Sequence, residues 1–242
     1  MKKFPQHITE KLKNYVYIYS DPRTNEVFYV GKGKGNRVFD HLKDKTECAK
    51  VAYLDELLKN GVKPTIEILI HGIEDDSVLR IESAIIDLLG IHTLTNRQVG
   101  FHSAEFGRMT LNQIESVYSK EPVEINDPIV LIRINQQFRY SMTELELYDF
   151  TRGYWKMNMQ RAQGAKYALS VYNGIVQEVY EIKAWLQAGD TMNVRGAVDV
   201  DNSRVEFVGK IAEKKIRNKY RYKSVEHYFK KGNANPILYI QC

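Results

Sequence analysis

Two short runs, Tyr15–Tyr19 and Val27–Gly31, are rich in Tyr, Val, Ile and Phe. They flank Asp21-Pro22-Arg23-Thr24-Asn25, whose Asp, Pro and Asn favour turns, so the pattern predicts a β-hairpin with a longish loop. After Gly31-Lys32-Gly33-Lys34-Gly35-Asn36 the spacing turns helical. Asn36 is expected to cap a short helix through Leu42, and a second helix, about Glu47 to Asn60, stops at Gly61. Thr65–Ile70 reads as a third strand, and Asp76 or Ser77 as the cap of a helix to Leu89 ended by Gly90. The apolar rhythm then lapses over residues 103–127, where the domain joint is expected. Beyond it, Ile129–Ile134 reads as a strand and Ser141–Tyr154 as a helix. Tyr167–Tyr172 and Ile175–Trp185 form a hairpin across Asn173-Gly174, the strongest short-range signal for one. Val205–Ile211 continues as strand, a basic helical stretch follows, and Pro236–Ile240 closes. The expectation is an α+β chain: an α+β unit over 1–103, a linker over 104–127, and a β-rich unit with a basic helical segment over 128–242.

A chain of 242 residues with 43% apolar and 27% charged positions can bury one large core or two modest ones. No apolar run nears the length that spans a bilayer, and Met1–Glu10 has no secretory apolar region, so no membrane partner is expected. Cys48 and Cys242 are the only cysteines and neither sits in a CxxC pair, which excludes a disulfide scaffold and a thiolate zinc site and makes a reducing cytoplasm the expected compartment. The net charge of +5 says little, but its distribution says more: residues 204–242 hold 10 Lys and Arg against 3 Asp and Glu, while residues 104–203 hold 10 against 13. The terminal excess fits either a solvated helix face or a polyanion-binding surface.

The glycine-rich stretch invites a nucleotide-binding reading that its spacing refuses. Nothing after Gly31 fits the P-loop pattern, and Gly31, Gly33 and Gly35 do not make G-x-G-x-x-G. What remains is a doubly basic turn able to approach a phosphate. Arg37 and His41, at i and i+4, share one helix face directly after it. Glu82 sits among Leu79, Ile81, Ile85 and Ile86, where a carboxylate is expensive to desolvate unless it is paired or holds a metal. A salt bridge to Arg80 or Arg97 is the structural alternative. Asn96 reads equally as a turn residue.

Taken together, Tyr15-Val16-Tyr17, Tyr29-Val30-Gly31, Arg37-x-x-x-His41, Glu82 and Asn96 resemble, in order and spacing, the GIY-YIG nuclease domain over about residues 14–100. The block from Phe28 to His41 is most similar to the branch found in LEM-domain nucleases, although no LEM or ankyrin segment is recognisable. Tyr15 stands where the first signature has Gly, and Val30 where the second has Ile. The resemblance implies a three-stranded antiparallel sheet with flanking helices, and a DNA endonuclease using one Mg²⁺ or Mn²⁺ held by Glu82. It implies Tyr17 as the base or proton relay, Tyr29 and His41 in the proton network, Lys32 and Arg37 on the phosphate, and Asn96 positioning backbone or phosphate. A free phenol titrates near about 10, so the base Tyr needs help to ionise.

The C-terminal Lys214, Lys215, Arg217, Lys219, Arg221 and Lys223, interleaved with tyrosines, are expected to contact DNA phosphates together with Lys34. The second unit, similar in outline to PUA-like barrels, is expected to read DNA in a restriction or defence nuclease acting on double-stranded DNA. Since one centre cuts one strand, double-strand cleavage needs a homodimer or two nicks. A structure-selective repair nuclease, RNA as substrate, and a catalytically idle nucleic-acid-binding module are the alternatives.

Overall fold

The computed structural model describes residues 3–40, 49–96, 100, 106–194, 203–230, 232 and 234–242. The chain is α+β and divides between Arg108 and Met109 into two compact units. In the first, helix α1 (Gln6–Leu12) precedes strands β1 (Asn14–Asp21) and β2 (Glu26–Lys34), helices α2 (Arg37–Asp40) and α3 (Ala49–Lys59), strand β3 (Thr65–Ile73) and helix α4 (Asp75–Leu89). The sheet order is β2-β1-β3, antiparallel throughout, which leaves β2 at an edge.

The period-two alternation of β1 sets the two faces of this sheet. Tyr15, Tyr17 and Tyr19 pack with Phe28, Val38, Leu54 and Leu57 under α2 and α3, while Val16 and Ile18 pack with Val30, Val78 and Ile86 under α4. Both helix stops were legible, since Gly61 and Gly90 take left-handed φ of 72° and 87° just beyond α3 and α4.

The sequence expectation of a glycine-rich turn after Gly31 needs correction. Strand β2 runs on to Lys34, with Lys32 opposite Val16 and Gly33 opposite Tyr15. Asn36 does not cap α2 through its side chain; its amide accepts from the Phe4 backbone N–H at 2.7 Å and donates to the Phe4 carbonyl at 3.3 Å.

The second unit holds helix α5 (Leu111–Ser119), β4 (Ile129–Arg133), α6 (Glu144–Arg152), β5 (Trp155–Lys156), α7 (Met159–Gly164), β6 (Tyr167–Tyr172), β7 (Ile175–Gln187), β8 (Arg204–Ile211), α8 (Lys214–Tyr220) and β9 (Ile237–Ile240). Its sheet, in the order β5-β8-β7-β6-β4-β9, curls into a half-barrel; the β4–β6 pair is parallel and the other pairs antiparallel. One face packs Leu131, Leu169, Val179 and Tyr220 under α8, and the other packs Val130, Ala168, Tyr180 and Phe207 against Leu147 and Tyr148 of α6.

Within the expected linker, of which residues 106–127 are described, helix α5 begins just after Thr110. Thr110 and Gln113 close a reciprocal capping box on α5, and Val123 and Glu121 bond to Ser224 in the manner of a strand. The capping signature was present in the sequence, but α5 exposes Leu111, Ile114 and Tyr118 and so breaks the apolar-in pattern by which helices are recognised. Among the described residues no helix is long and apolar enough to cross a membrane.

Candidate active site

The tyrosines of β1 form a row of mutually tilted rings on one face of the first sheet. Ring centroids of Tyr15 and Tyr17 lie 6.0 Å apart, those of Tyr17 and Tyr19 5.4 Å, and Tyr29 of β2 stands 6.1 Å from Tyr17 and 5.5 Å from Tyr19. All three β1 tyrosines are fully buried, whereas Tyr29 is half-buried. The glycines opposite them make this possible. A Cβ on Gly31 would stand 2.8 Å from the Tyr17 hydroxyl and 2.8 Å from the Tyr29 ring, and one on Gly33 would stand 2.6 Å from the Tyr15 ring. These two glycines therefore seat phenol rings in a strand, and only Gly35, at φ +60°, is a turn glycine.

The flanking hydroxyls hold helix α2. The Tyr15 hydroxyl donates to the Gly35 carbonyl at 3.0 Å and accepts from the Val38 N–H at 3.1 Å, and the Tyr19 hydroxyl donates to the Val38 carbonyl at 2.5 Å. Arg37 is thereby presented to solvent at the start of α2. Burial, with the neighbouring Tyr29 and Tyr19 phenols adding to it, pushes the Tyr17 phenol well above its ordinary range against a smaller opposing pull from Arg37. Burial raises Tyr15 and Tyr19 as well.

On the opposite face of β2, the Lys32 ammonium lies 3.5 Å from a Glu82 carboxylate oxygen, with side-chain exposures of 43% and 18%. That separation is longer than a good charge-assisted hydrogen bond, so among the described residues the carboxylate is held only loosely, by Lys32. Glu82 is one turn from Val78 and one turn from Ile86, both buried under the sheet, and this places it beside β2 rather than in open solvent.

Asn96 closes the outer edge of β2. Its side-chain carbonyl accepts from the Val30 N–H at 3.1 Å and its amide donates to the Val30 carbonyl at 2.8 Å, while the Thr95 N–H and hydroxyl both donate to the Phe28 carbonyl at 2.6 and 2.8 Å. Both ends of the Asn96 amide are thus spent on backbone. Tyr29, between the two clamped residues, has its main chain fixed from outside the sheet.

The structure therefore brings Tyr17 and Tyr29 together, and Lys32 and Glu82 together, on the two faces of one edge strand. Lys34 is exposed at the end of that strand, and His41 lies outside the described residues. Sequence reading passed over three residues here. Tyr15 and Tyr19 position α2, and the pairing of Tyr15 with Gly33 was visible as an aromatic opposite a glycine. Lys50 is 5% exposed with its ammonium 4.9 Å from the Tyr29 ring centre. Its signal was its place in the row Lys50, Leu54, Leu57, the buried stripe of α3. Among the described residues no three His, Cys, Asp or Glu side chains are grouped to hold a metal, so any ion here would rely on Glu82 and water.

The basic C-terminal residues fall into two sets. Arg217 donates twice to the buried Glu178, at 2.8 and 2.6 Å, and Arg221 lies 3.3 Å from the same carboxylate. Lys219 pairs with Asp127 at 2.8 Å, and Lys223 pairs with Glu121. Lys214 and Lys215 are exposed, with no carboxylate partner among the described residues.

The family model of the LEM-3-like GIY-YIG domain matches residues 14–119, running past the division between the two units to take in α5. A 147-residue stretch is 25% identical to the Ankyrin repeat and LEM domain-containing protein 1 homolog of Caenorhabditis elegans, covering 46% of this chain and 21% of that protein. The chain thus aligns with only about a fifth of that relative's length. No solved structure matches. The three-stranded antiparallel sheet with its flanking helices, Asn14 to Leu89, lies within the matched stretch, so residues 14–119 are similar to the GIY-YIG nuclease-like domain of the LEM-3-like kind.

Proposed function

We propose that this chain is a metal-dependent endonuclease that hydrolyses phosphodiester bonds in DNA. The observation that carries the proposal is the loosely held, partly exposed Glu82 carboxylate of α4 beside Lys32 of β2, the strand whose Val30 is clamped by Asn96. The site fits a hard divalent ion by its donor chemistry. A carboxylate oxygen 3.5 Å from its only cation partner among the described residues is free to bind metal, and Mg²⁺ or Mn²⁺ completes its shell with water and substrate oxygens. Bound at Glu82, such an ion would supply Lewis-acid stabilisation of charge on the phosphate and the leaving oxygen.

The chain's own groups do the rest. Lys32 and Arg37, each partly or fully exposed, bind and orient the phosphate and offset its growing negative charge. Of the two phenols, the buried Tyr17 has no solvent-facing surface while Tyr29 has some, so the proton of the attacking water is assigned to Tyr29, for a phosphate lying over the open end of β2 beyond Val30, which Tyr29 and Arg37 approach from one face of the strand and Lys32 and Glu82 from the other. Asn96 keeps the Tyr29 main chain in place. The second unit, compact in itself and exposing Lys214 and Lys215, is assigned as the DNA-contacting part of a restriction or defence nuclease.

The test is nicking of supercoiled plasmid, with modified and unmodified phage DNA as parallel substrates. Cutting should require Mg²⁺ or Mn²⁺. Tyr29→Phe and Glu82→Gln should each lower the cutting rate at least about a hundredfold with DNA affinity kept, which is the scale of a lost general base. A Glu82→Gln protein that cuts as well as the parent with Mg²⁺ would show the carboxylate to be structural.

A further inference from the structure

We propose that Lys50 is a positioning residue for the reaction: its buried ammonium, set over the Tyr29 ring, favours the Tyr29 phenolate and so makes that tyrosine a usable base near neutral pH. The proposal rests on the endonuclease reading, and it names a group that none of the signature motifs contains.

Three observations carry it. Lys50 is 5% exposed, in the buried row of α3 with Leu54 and Leu57, where little water lies between its charge and its neighbours. Its Nζ lies 4.9 Å from the Tyr29 ring centre, inside the range in which a cation is attracted to an aromatic face. A cation held against the ring of a phenol also favours its ionised form, as an opposite charge does for any titrating group, and it acts more strongly where water is excluded. The rest of the tyrosine row sets the need. Burial raises the Tyr17 and Tyr19 phenols, and Tyr29 belongs to the same cluster.

The groups around Tyr29 divide by sign. From β1 come the phenols of Tyr17 and Tyr19, which resist a second negative charge once either is ionised. From α2 come Arg37, which lowers the neighbouring Tyr17, and Asp40, which raises Tyr15 and Tyr19. From α3 come Lys50 and, through Phe28, Tyr53. Lys32 and Glu82 lie across the sheet. Arg37 and Asp40 are exposed, so water and salt weaken both. Lys50 is buried and acts on Tyr29 through little solvent.

The experiment labels tyrosine Cζ with ¹³C in the full-length protein, assigns Tyr29 by its loss in Tyr29→Phe, and follows the signals with pH. In the parent protein Tyr29 should ionise before Tyr15, Tyr17 and Tyr19. In Lys50→Met the Tyr29 midpoint should rise by at least about one pH unit, and the pH profile of Mg²⁺-dependent nicking should move up with it. Cutting on the low-pH limb of that profile then falls about tenfold. Lys50→Arg should keep both close to the parent. An unmoved midpoint in Lys50→Met would overturn the proposal, as would a parent Tyr29 that stays protonated until unfolding. Should Lys50→Met not fold, Lys50→Gln, which keeps a polar side chain without the charge, gives the same comparison, and an unmoved midpoint there overturns the proposal equally. Absence of cutting at every pH would instead sink the endonuclease reading, and the titration would still report whether Lys50 and Tyr29 are coupled.

Discussion

Gly31 and Gly33 look from the sequence like parts of a flexible basic loop, yet the space above each is filled by a phenol. At Gly31 a methyl group would meet the Tyr17 hydroxyl and the Tyr29 ring at 2.8 Å, and the Tyr17 ring, fully buried in the tyrosine row, has no room to retreat. Gly31→Ala is therefore an overpacking substitution, expected to cost about 1–3 kcal/mol and to displace Tyr29 from its working position. At Gly35 nothing lies within 4 Å, and the cost of Ala comes only from φ +60°, about 1 kcal/mol. Urea unfolding of the two variants separates the effects: Gly31→Ala should lose more stability and most of its cutting, Gly35→Ala less of both. Equal, small losses would mean that the rings are not seated on the strand as described. The same chemistry accounts for Tyr15 at a position where the family signature has Gly. Its ring fits because Gly33 is bare, and its hydroxyl holds the backbone of α2 at Gly35 and Val38.

The hairpin β1–β2 was the most legible element, because its turn is written in Asp21, Pro22 and Asn25 and its strands in alternating β-branched and aromatic residues. Asp21 does more than favour a turn. The Arg23 guanidinium, the Arg23 backbone N–H and the Tyr53 hydroxyl hold its carboxyl down to about 2 against an opposing push from burial. A carboxyl whose folded value lies below its ordinary 3.8 adds stability that is present above about pH 4 and is lost as pH falls from there through about 2. Unfolding midpoints measured from pH 5 down to pH 2 should fall over that window in the parent and fall less in Asp21→Asn; parallel curves would remove Asp21 from the account. What could not be read from the sequence were contacts between distant segments. The two-way bond of Asn96 to Val30 spans 66 residues, and nothing local to Leu94-Thr95-Asn96 distinguishes a strand clamp from a turn. Lys50 likewise reads as one more surface lysine until its row on α3 is set against the sheet. Helix α5 had its cap written at Thr110 and Gln113, but its exposed Leu111, Ile114 and Tyr118 hide it from any reading based on an inward apolar face.

Across the whole molecule, counting charge by segment misleads because ion pairs join the segments. The basic excess of residues 204–242 and the acidic excess of residues 104–203 meet in the second unit, where Arg217 and Arg221 take Glu178, Lys219 takes Asp127, Lys210 approaches Glu181 and Lys223 takes Glu121. Much of the apparent polyanion-binding stretch is thus the means by which α8 and its flanks are fastened to the sheet. This separates two substitutions that the sequence alone would treat alike. Glu178 is only 4% exposed, so Arg217→Ala withdraws one partner from a buried carboxylate, and the expected loss is about 2–4 kcal/mol of unfolding free energy, limited by the Arg221 that remains. Lys214→Glu with Lys215→Glu removes exposed charge at little cost in stability. If these two lysines touch DNA phosphates, the slope of log affinity against log salt should flatten by about 1.8, roughly 0.9 for each phosphate left without its lysine. Filter binding of a duplex at several salt concentrations, paired with urea unfolding, reads both quantities. A double lysine variant with an unchanged salt slope would move the DNA-contacting surface away from α8, and an Arg217→Ala protein that loses affinity but not stability would return it there.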